Sequence, residues 1–293
     1  MMVAMKQSDA PERPKLTLWQ RFAIREVRRA AGRKGDEPMS SEDWAAAYEL
    51  SNGAVTRAMH RVWRALPSSP RCGRCGAPFA GPGRWVVGPL GYRPSRKNPT
   101  ICATCVETSP PGGMKMHTGV LFADLRGFTA HTEAADPEDV STLLRRFYRC
   151  AEDVLFPDAI IDKLMGDEVM ALYLPDVQLH IEHDEVPSLM LEHARGLLRS
   201  VGYGSGEVPF VEMGIGLDVG EAFVGNIGER ALYDFTAVGD VVNTASRLQG
   251  QAAGGEIVLS ERVVDGLPTP VGDRCEITLK GKSGPQVAYR VKV

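Results

Sequence analysis

No run of this 293-residue chain approaches the ~20 consecutive apolar residues of a membrane span. No apolar signal-peptide core follows Met1, so the expectation is a cytoplasmic protein. An excess of one charge is also missing. The chain has 34 Lys and Arg against 37 Asp and Glu, a net charge of −3, which argues against a bulk polyanion as partner. No internal repeat is visible, which removes solenoids and propellers. Cysteine is scarce, with six residues, and a cytoplasmic setting excludes a disulfide framework. What remains is 43% hydrophobic, enough for one catalytic domain and a smaller module.

Two segments carry a carboxylate beside a glycine. Gly119-Val120-Leu121-Phe122-Ala123-Asp124 is apolar and β-prone until the aspartate ends it, and Leu125-Arg126-Gly127-Phe128-Thr129 follows. In Lys163-Leu164-Met165-Gly166-Asp167-Glu168, the pair Gly166-Asp167 separates two β-prone arms. Taken alone, Gly166-Asp167 is a hairpin turn and Asp124 a solvated strand end or helix cap. Taken together, two carboxylates on adjacent strand ends can hold two divalent cations, as transfer at a phosphorus centre requires.

Farther along, Asp234-Phe235-Thr236-Ala237-Val238-Gly239-Asp240 leads into Val241-Val242-Asn243-Thr244-Ala245-Ser246-Arg247. Asn243 and Arg247 stand four apart, so a helix places them on one face. Arg suits a phosphate and Asn can orient a sugar. Leu279-Lys280-Gly281-Lys282-Ser283-Gly284 sets two lysines around a glycine, suitable for polyphosphate oxygens. Read singly, Arg247 is a salt-bridge residue and the lysines a solvated turn.

In this order and at this spacing, these motifs resemble the class III nucleotidyl cyclases. The resemblance covers roughly residues 118–292 and includes the glycine-rich stretch Gly214-Ile215-Gly216-Leu217-Asp218-Val219-Gly220 with Val224-Gly225-Asn226-Ile227-Gly228. It implies that Asp124 and Asp167, with the backbone near Leu125, bind two Mg2+ or Mn2+ ions per active site. Lys163 and Thr236 would recognise the purine, Phe128 and Thr129 would contact substrate, and Asn243 and Arg247 would act in the transition state. Lys280 or Lys282 would meet the β- and γ-phosphates, and the sequence does not choose between them. It also implies a homodimer with two composite sites, Asp124 and Asp167 coming from one protomer and Lys163, Thr236, Asn243 and Arg247 from the other.

Adenine offers ring acceptors and an amine donor, which Lys163 and the Thr236 hydroxyl complement. Guanine's ring N–H wants an acceptor, and guanylyl cyclases of the family typically carry glutamate where Lys163 stands. Many family adenylyl cyclases carry aspartate where this chain has Thr236. The expected activity is therefore conversion of ATP to cyclic 3′,5′-AMP and pyrophosphate. The alternatives are a guanylyl cyclase, a non-catalytic nucleotide sensor on the same scaffold, and a zinc-dependent nucleic-acid-binding regulator.

The expected fold is α+β and ferredoxin-like. Its strands fall near 118–124, 210–219, 256–259, 274–279 and 286–292, its hairpins near 159–173 and 221–237, and its helices near 138–154, 186–200 and 240–249. Asp136 should cap the first helix with Pro137 in its first turn.

Upstream, Cys72-Gly73-Arg74-Cys75 and Cys102-Ala103-Thr104-Cys105 form two CxxC knuckles, and four thiolates favour tetrahedral zinc over an iron–sulfur cluster. Between them lie Arg84, Trp85, Tyr92, Arg93, Arg96 and Lys97 with no acid, in a segment dense in Pro and Gly that reads as loop. That insert is a weak nucleic-acid footprint and reads first as a basic surface. Cys150 and Cys275 are expected in the core. Ser41-Glu42-Asp43 should cap a helix running to Leu66, and residues 16–34 suggest a basic amphipathic helix for a membrane surface or protein partner. The chain thus divides into 1–40, a helical segment 41–68, a four-cysteine module 69–113 and a catalytic domain 114–293.

Overall fold

A computed structural model describes residues 25, 28, 29, 40–43, 54–67, 70–95, 99, 101–106, 112–178, 181–229 and 232–293. The chain forms two units: residues 1–114 with 224–236, and residues 115–223 with 237–293.

In the first unit, Arg25, Arg28 and Arg29 are helical, and the rest of the segment expected as a basic helix lies outside the described residues. Ser40, one residue earlier than expected, caps the next helical turn. Its hydroxyl accepts from the Asp43 amide at 3.2 Å and the Asp43 carboxylate accepts from the Ser40 amide at 2.8 Å, a reciprocal box that satisfies two end donors. Helix α1 (Ala54–Ala65) follows, then α2 (Gly81–Val87), a 3-10 turn (Gly88–Leu90) and α3 (Ala103–Val106). The segment between the knuckles is therefore not merely loop. Phe79, Val87, Tyr92 and Ile101 are buried there, and Pro82 sits in the first turn of α2, where its missing N–H costs nothing.

The sheet contains β1 (Gly112–Leu125), β2 (Ile160–Met165), β3 (Glu168–Tyr173), β4 (Met213–Glu229), β5 (Leu232–Val238), β6 (Glu256–Ser260), β7 (Asp273–Ile277) and β8 (Gln286–Lys292). Its order is β2-β3-β1-β4-β6-β8-β7, and β5 pairs with β4. The helices are α4 (Phe128–Ala134), α5 (Pro137–Leu155), α6 (Val186–Val201), α7 (Asp240–Gln249) and α8 (Glu261–Asp265). This is the mixed α+β architecture that the motif order implied. As expected, Asp136 caps α5 by accepting from the Glu138 amide at 2.8 Å, with Pro137 in the first turn. Two expectations fail in detail. The break placed near residue 220 is absent, because β4 runs unbroken from 213 to 229. Cys150 and Cys275 are only partly buried.

Strand alternation explains how the second unit is filled. Ile215 and Leu217 of β4 and Ile257 and Leu259 of β6 enter one core with Phe147, Ala151 and Leu155 of α5 and Met190, Ala194 and Leu197 of α6. The intervening Val258 points the other way, into a second cluster with Leu248 of α7, Ile277, Leu279 and Ala288. A strand buried on both faces needs an uninterrupted apolar run, which Ile257-Val258-Leu259 supplies. On β4 the second face carries Gly214 and Gly216. A Cβ at Gly216 would lie 2.2 Å from the Gln249 amide nitrogen and 2.3 Å from the Ala245 carbonyl, so α7 rests directly on the strand backbone.

Gly216→Ala should therefore lower the melting temperature by the equivalent of about 1–3 kcal/mol, an overpacking cost with only backbone to move. Gly250→Ala, with φ −62° and nearest atom at 3.5 Å, should be neutral or slightly stabilising. Paired thermal melts check this, and equal effects would contradict the close packing.

Candidate active site

Antiparallel pairing of β1 with β3 sets Asp124 opposite Glu168. The two-residue turn Gly166-Asp167 joins β2 to β3, with Gly166 at φ +62°, a conformation glycine adopts without a Cβ penalty. The Leu125 amide donates to the Asp167 carbonyl at 3.2 Å, and the Tyr148 hydroxyl of α5 donates to the Gly166 carbonyl. Asp124 and Asp167 thus meet at adjacent strand ends, as expected.

The electrostatics follow from this crowding. Burial pushes the Asp124 carboxyl up to about 6, and the charge and hydrogen bonding of Asp167 push the same way, while Arg126 and Gln249 pull against them. Glu168 is also raised, by burial first and then by Asp124 and Asp167. An all-oxygen donor set whose members repel one another suits a hard divalent cation, Mg2+ or Mn2+.

Three participants were not singled out in the sequence. Glu168 joins the carboxylate cluster. Arg126 lies 3.4 Å from Asp124 and donates to the Gln249 carbonyl at 2.5 Å, while Gln249 Nε2 donates to Asp124 at 3.0 Å. A Cβ at Gly214 would come within 2.4 Å of the Arg126 guanidinium, so that glycine gives the arginine its room. Only Glu168 had a sequence signal, its adjacency to Asp167. Gln249 acts across 125 residues from Asp124.

Asn243 is exposed and Arg247 half-buried on α7, four residues apart as expected. A side chain on Gly281 would lie 3.3 Å from the Arg247 guanidinium, so Arg247 borders the Lys280-Gly281-Lys282 turn. The two lysines differ. Lys282 Nζ donates to both Asp240 oxygens, at 2.5 and 2.6 Å, and that bond holds the Asp240 carboxyl below its usual range. Asp240 also lies 3.9 Å from Arg262, which forks onto the buried Asp218. Lys280 is exposed. Lys163 lies on β2 opposite Met170, just past a register irregularity. Thr236 is buried on β5. Phe128 and Thr129 open α4, half-buried and exposed respectively.

A second cluster lies in the first unit. The Sγ atoms of Cys72, Cys75, Cys102 and Cys105 lie within 4.8 Å of one another, and none is in a disulfide. Burial works against a Cys72 thiolate, but hydrogen bonds from the Cys102, Cys105 and Cys75 side chains and the Cys75 amide bring it well below an ordinary thiol. Cys102 is pushed well above, chiefly by burial. Four clustered cysteines of this kind can bind a metal ion.

Residues 114–292 match the family model described as the adenylate and guanylate cyclase catalytic domain. An adenylate cyclase of Anabaena cylindrica is 30% identical over 187 residues, 59% of this chain and 36% of that protein. Adenylate cyclase 1 of Rhizobium meliloti (strain 1021) is 32% identical over 151 residues, 50% of this chain and 23% of that protein. The chain thus spans about a third or less of the length of these curated relatives. Among solved structures, the guanylyl cyclase Cya2 is 27% identical with a TM-score of 0.54, covering 61% of this chain and 93% of its own. The adenylyl cyclase CyaB from P. aeruginosa is 26% identical with a TM-score of 0.53, covering 61% and 96%.

A carboxyl raised to about 6 from 3.8 adds stability that is complete below its unfolded value and is lost as pH rises through its folded one. Asp124→Asn lacks that loss and keeps an acceptor for Gln249. Metal-free Asp124→Asn should melt about 2–4 °C above the parent at about pH 8, with the gap closing toward about pH 4. A gap that does not change with pH would contradict the crowding of the carboxylates.

Proposed function

The chain belongs to the adenylate and guanylate cyclase catalytic-domain family, and from that premise we propose that it is an adenylyl cyclase. It would convert ATP to cyclic 3′,5′-AMP and pyrophosphate in the cytoplasm, under control of its N-terminal region. The observation that carries the proposal is the meeting of Asp124 and Asp167 at the ends of β1 and the β2–β3 turn.

Asp124 and Asp167, with the backbone near Leu125, would hold two Mg2+ or Mn2+ ions. Bound there, such cations acidify the ribose 3′-hydroxyl and neutralise the triphosphate. Gln249 and Arg126 orient Asp124 through its Oδ2 atom. Arg247 would neutralise charge developing on the α-phosphate, and Asn243 would fix the ribose. Lys280 is assigned to the β- and γ-phosphates, since Lys282 is engaged by Asp240. Phe128 and Thr129 would contact substrate at the start of α4.

Lys163 would donate to a ring acceptor of adenine and Thr236 would meet its amine. A lysine at that position opposes the guanine N–H. Guanylyl cyclase remains the second reading, because Thr236 departs from the aspartate of many adenylyl cyclases and one similar structure is a guanylyl cyclase. The active form would be a homodimer in which Asp124 and Asp167 of one protomer face Lys163, Thr236, Asn243 and Arg247 of the other. At the four cysteines the assignment is a structural zinc ion, with an iron–sulfur cluster as the competitor.

Purified protein with Mn2+ or Mg2+ should form cyclic AMP from ATP and far less cyclic GMP from GTP. The reverse preference would transfer the assignment to guanylyl cyclase, and no cyclic product from either would support a nucleotide sensor. Asp124→Ala or Asp167→Ala should abolish turnover, and substantial residual turnover at saturating Mn2+ would sink the metal assignment.

Mixing Asp124→Ala with Arg247→Ala chains should restore about a quarter of the parent activity. Half the dimers are then mixed and one of their two sites is intact. No recovery in a verified mixed dimer would put the whole site in one protomer.

A further inference from the structure

Resting on the zinc reading of the four cysteines, we infer that the ion clamps helix α1 in place, so that metal occupancy governs whether this helix is ordered. The donor geometry comes first. Cys75 and Cys102 Sγ lie 3.7 Å apart, and Cys72 and Cys105 Sγ 4.0 Å apart. A tetrahedron with Zn–S bonds of ~2.3 Å has edges of ~3.8 Å, whereas a disulfide requires ~2.05 Å. Cys72, Cys75 and Cys102 are almost wholly buried. The amides of Cys75 and Cys102 both point at Cys72 Sγ, at 3.5 and 3.2 Å, the outer-layer bonding that settles thiolate charge around a metal. Four thiolates complete the shell, so the site is closed and structural.

Each knuckle grips the end of α1. Arg71, immediately before Cys72, donates to the Trp63 carbonyl at 2.8 Å, to the Leu66 carbonyl and to the Gly76 carbonyl at 3.4 Å. A guanidinium at a helix C-terminus satisfies end carbonyls and complements the dipole. Gly76, at φ +73°, lies so close that a Cβ there would meet Arg64 Cγ at 2.5 Å. From the second knuckle, Tyr92 packs edge-on against Trp63, with ring centroids 5.7 Å apart. Tyr92 is tied to that knuckle because the Ala103 amide donates to the Arg93 carbonyl at 2.7 Å.

The knuckles stand 27 to 33 residues apart in sequence. A metal joins them with four coordinate bonds, alongside contacts of the protein such as Arg74 Nη1 to the Cys105 carbonyl at 3.4 Å. Without the ion those coordinate bonds are lost and the two jaws part. The described part of helix α1, Ala54–Ala65, has its last turn held by contacts from both knuckles, and a helix end is ordered largely by such tertiary support.

The test is hydrogen exchange on the full chain with excess Mg2+, before and after a zinc-selective chelator, alongside elemental analysis. The expectation is one zinc per chain and slow exchange across residues 54–66, accelerating at least about tenfold on chelation while β3 is unchanged. Arg71→Ala should keep its zinc yet exchange about tenfold faster over the same residues, the loss of charged hydrogen bonds alone. Zinc fully removed with exchange over 54–66 unaltered would overturn the clamp and leave the zinc reading standing. So would Arg71→Ala exchanging like the parent. Iron with matching sulfide, or no metal with reduced cysteines, would overturn the zinc reading and the clamp with it.

Discussion

Two carboxylates held within hydrogen-bonding reach repel each other, and the second unit is arranged to hold Asp124 and Asp167 there regardless. The β1–β3 ladder fixes one, and a glycine turn secured by the Leu125 amide and the Tyr148 hydroxyl fixes the other. Burial makes the repulsion worse, which is why Asp124 rises to about 6. Holding the acids together costs stability, a strain that the surrounding sheet sustains, and on the proposed reading a bound divalent ion would relieve it. The apolar core beneath the ladder is what sustains it. Leu121, Ala123, Val169 and Ala171, adjacent to the two acids in sequence, are fully buried.

The glycines of β4 are the counterpart of that core on the opposite face. Gly216 lets α7 sit on the strand backbone, and Gly214 admits the Arg126 guanidinium. Arg126 and Gln249 then connect the end of α7 to Asp124. The helix that carries Asn243 and Arg247 is therefore tied to the carboxylate cluster by packing and by hydrogen bonds at once. Its beginning is fastened separately, through Asp240 to Lys282 and through Arg262 to the buried Asp218. This second fastening separates two lysines that look equivalent in the sequence: one is committed to a carboxylate and the other is exposed.

The four cysteines are gathered in a comparable way: two CxxC turns bring four Sγ atoms within 4.8 Å of one another, and their neighbours are arranged around the gathering. Here the neighbours are Arg71, Gly76 and Tyr92, all turned toward the last turn of α1. The apolar content of this segment is small but more than loops require, since Phe79, Val87 and Ile101 are buried beside the thiols.

Local patterning fixed much of this in advance. Alternation and turn residues located the β2–β3 hairpin, Asp136-Pro137 marked the start of α5, and the paired CxxC spacing foretold the thiol cluster, because each depends on residues near one another in the chain. The strand break near 220 was misplaced because a glycine looks the same whether it ends a strand or clears space for a neighbour. Gly220 does the latter, since a Cβ there would lie 3.1 Å from Arg262 Nη1, and only its partner reveals it. Glu168, Arg126 and Gln249 were likewise invisible as a group, since their meeting with Asp124 depends on strand order and helix packing across more than a hundred residues. The sequence by itself determined which chemical groups the protein has and which short-range elements carry them. Which carboxylates share a charge, which lysine is engaged and which glycine makes room were decided by tertiary structure, because those are properties of pairs that only the fold brings into contact.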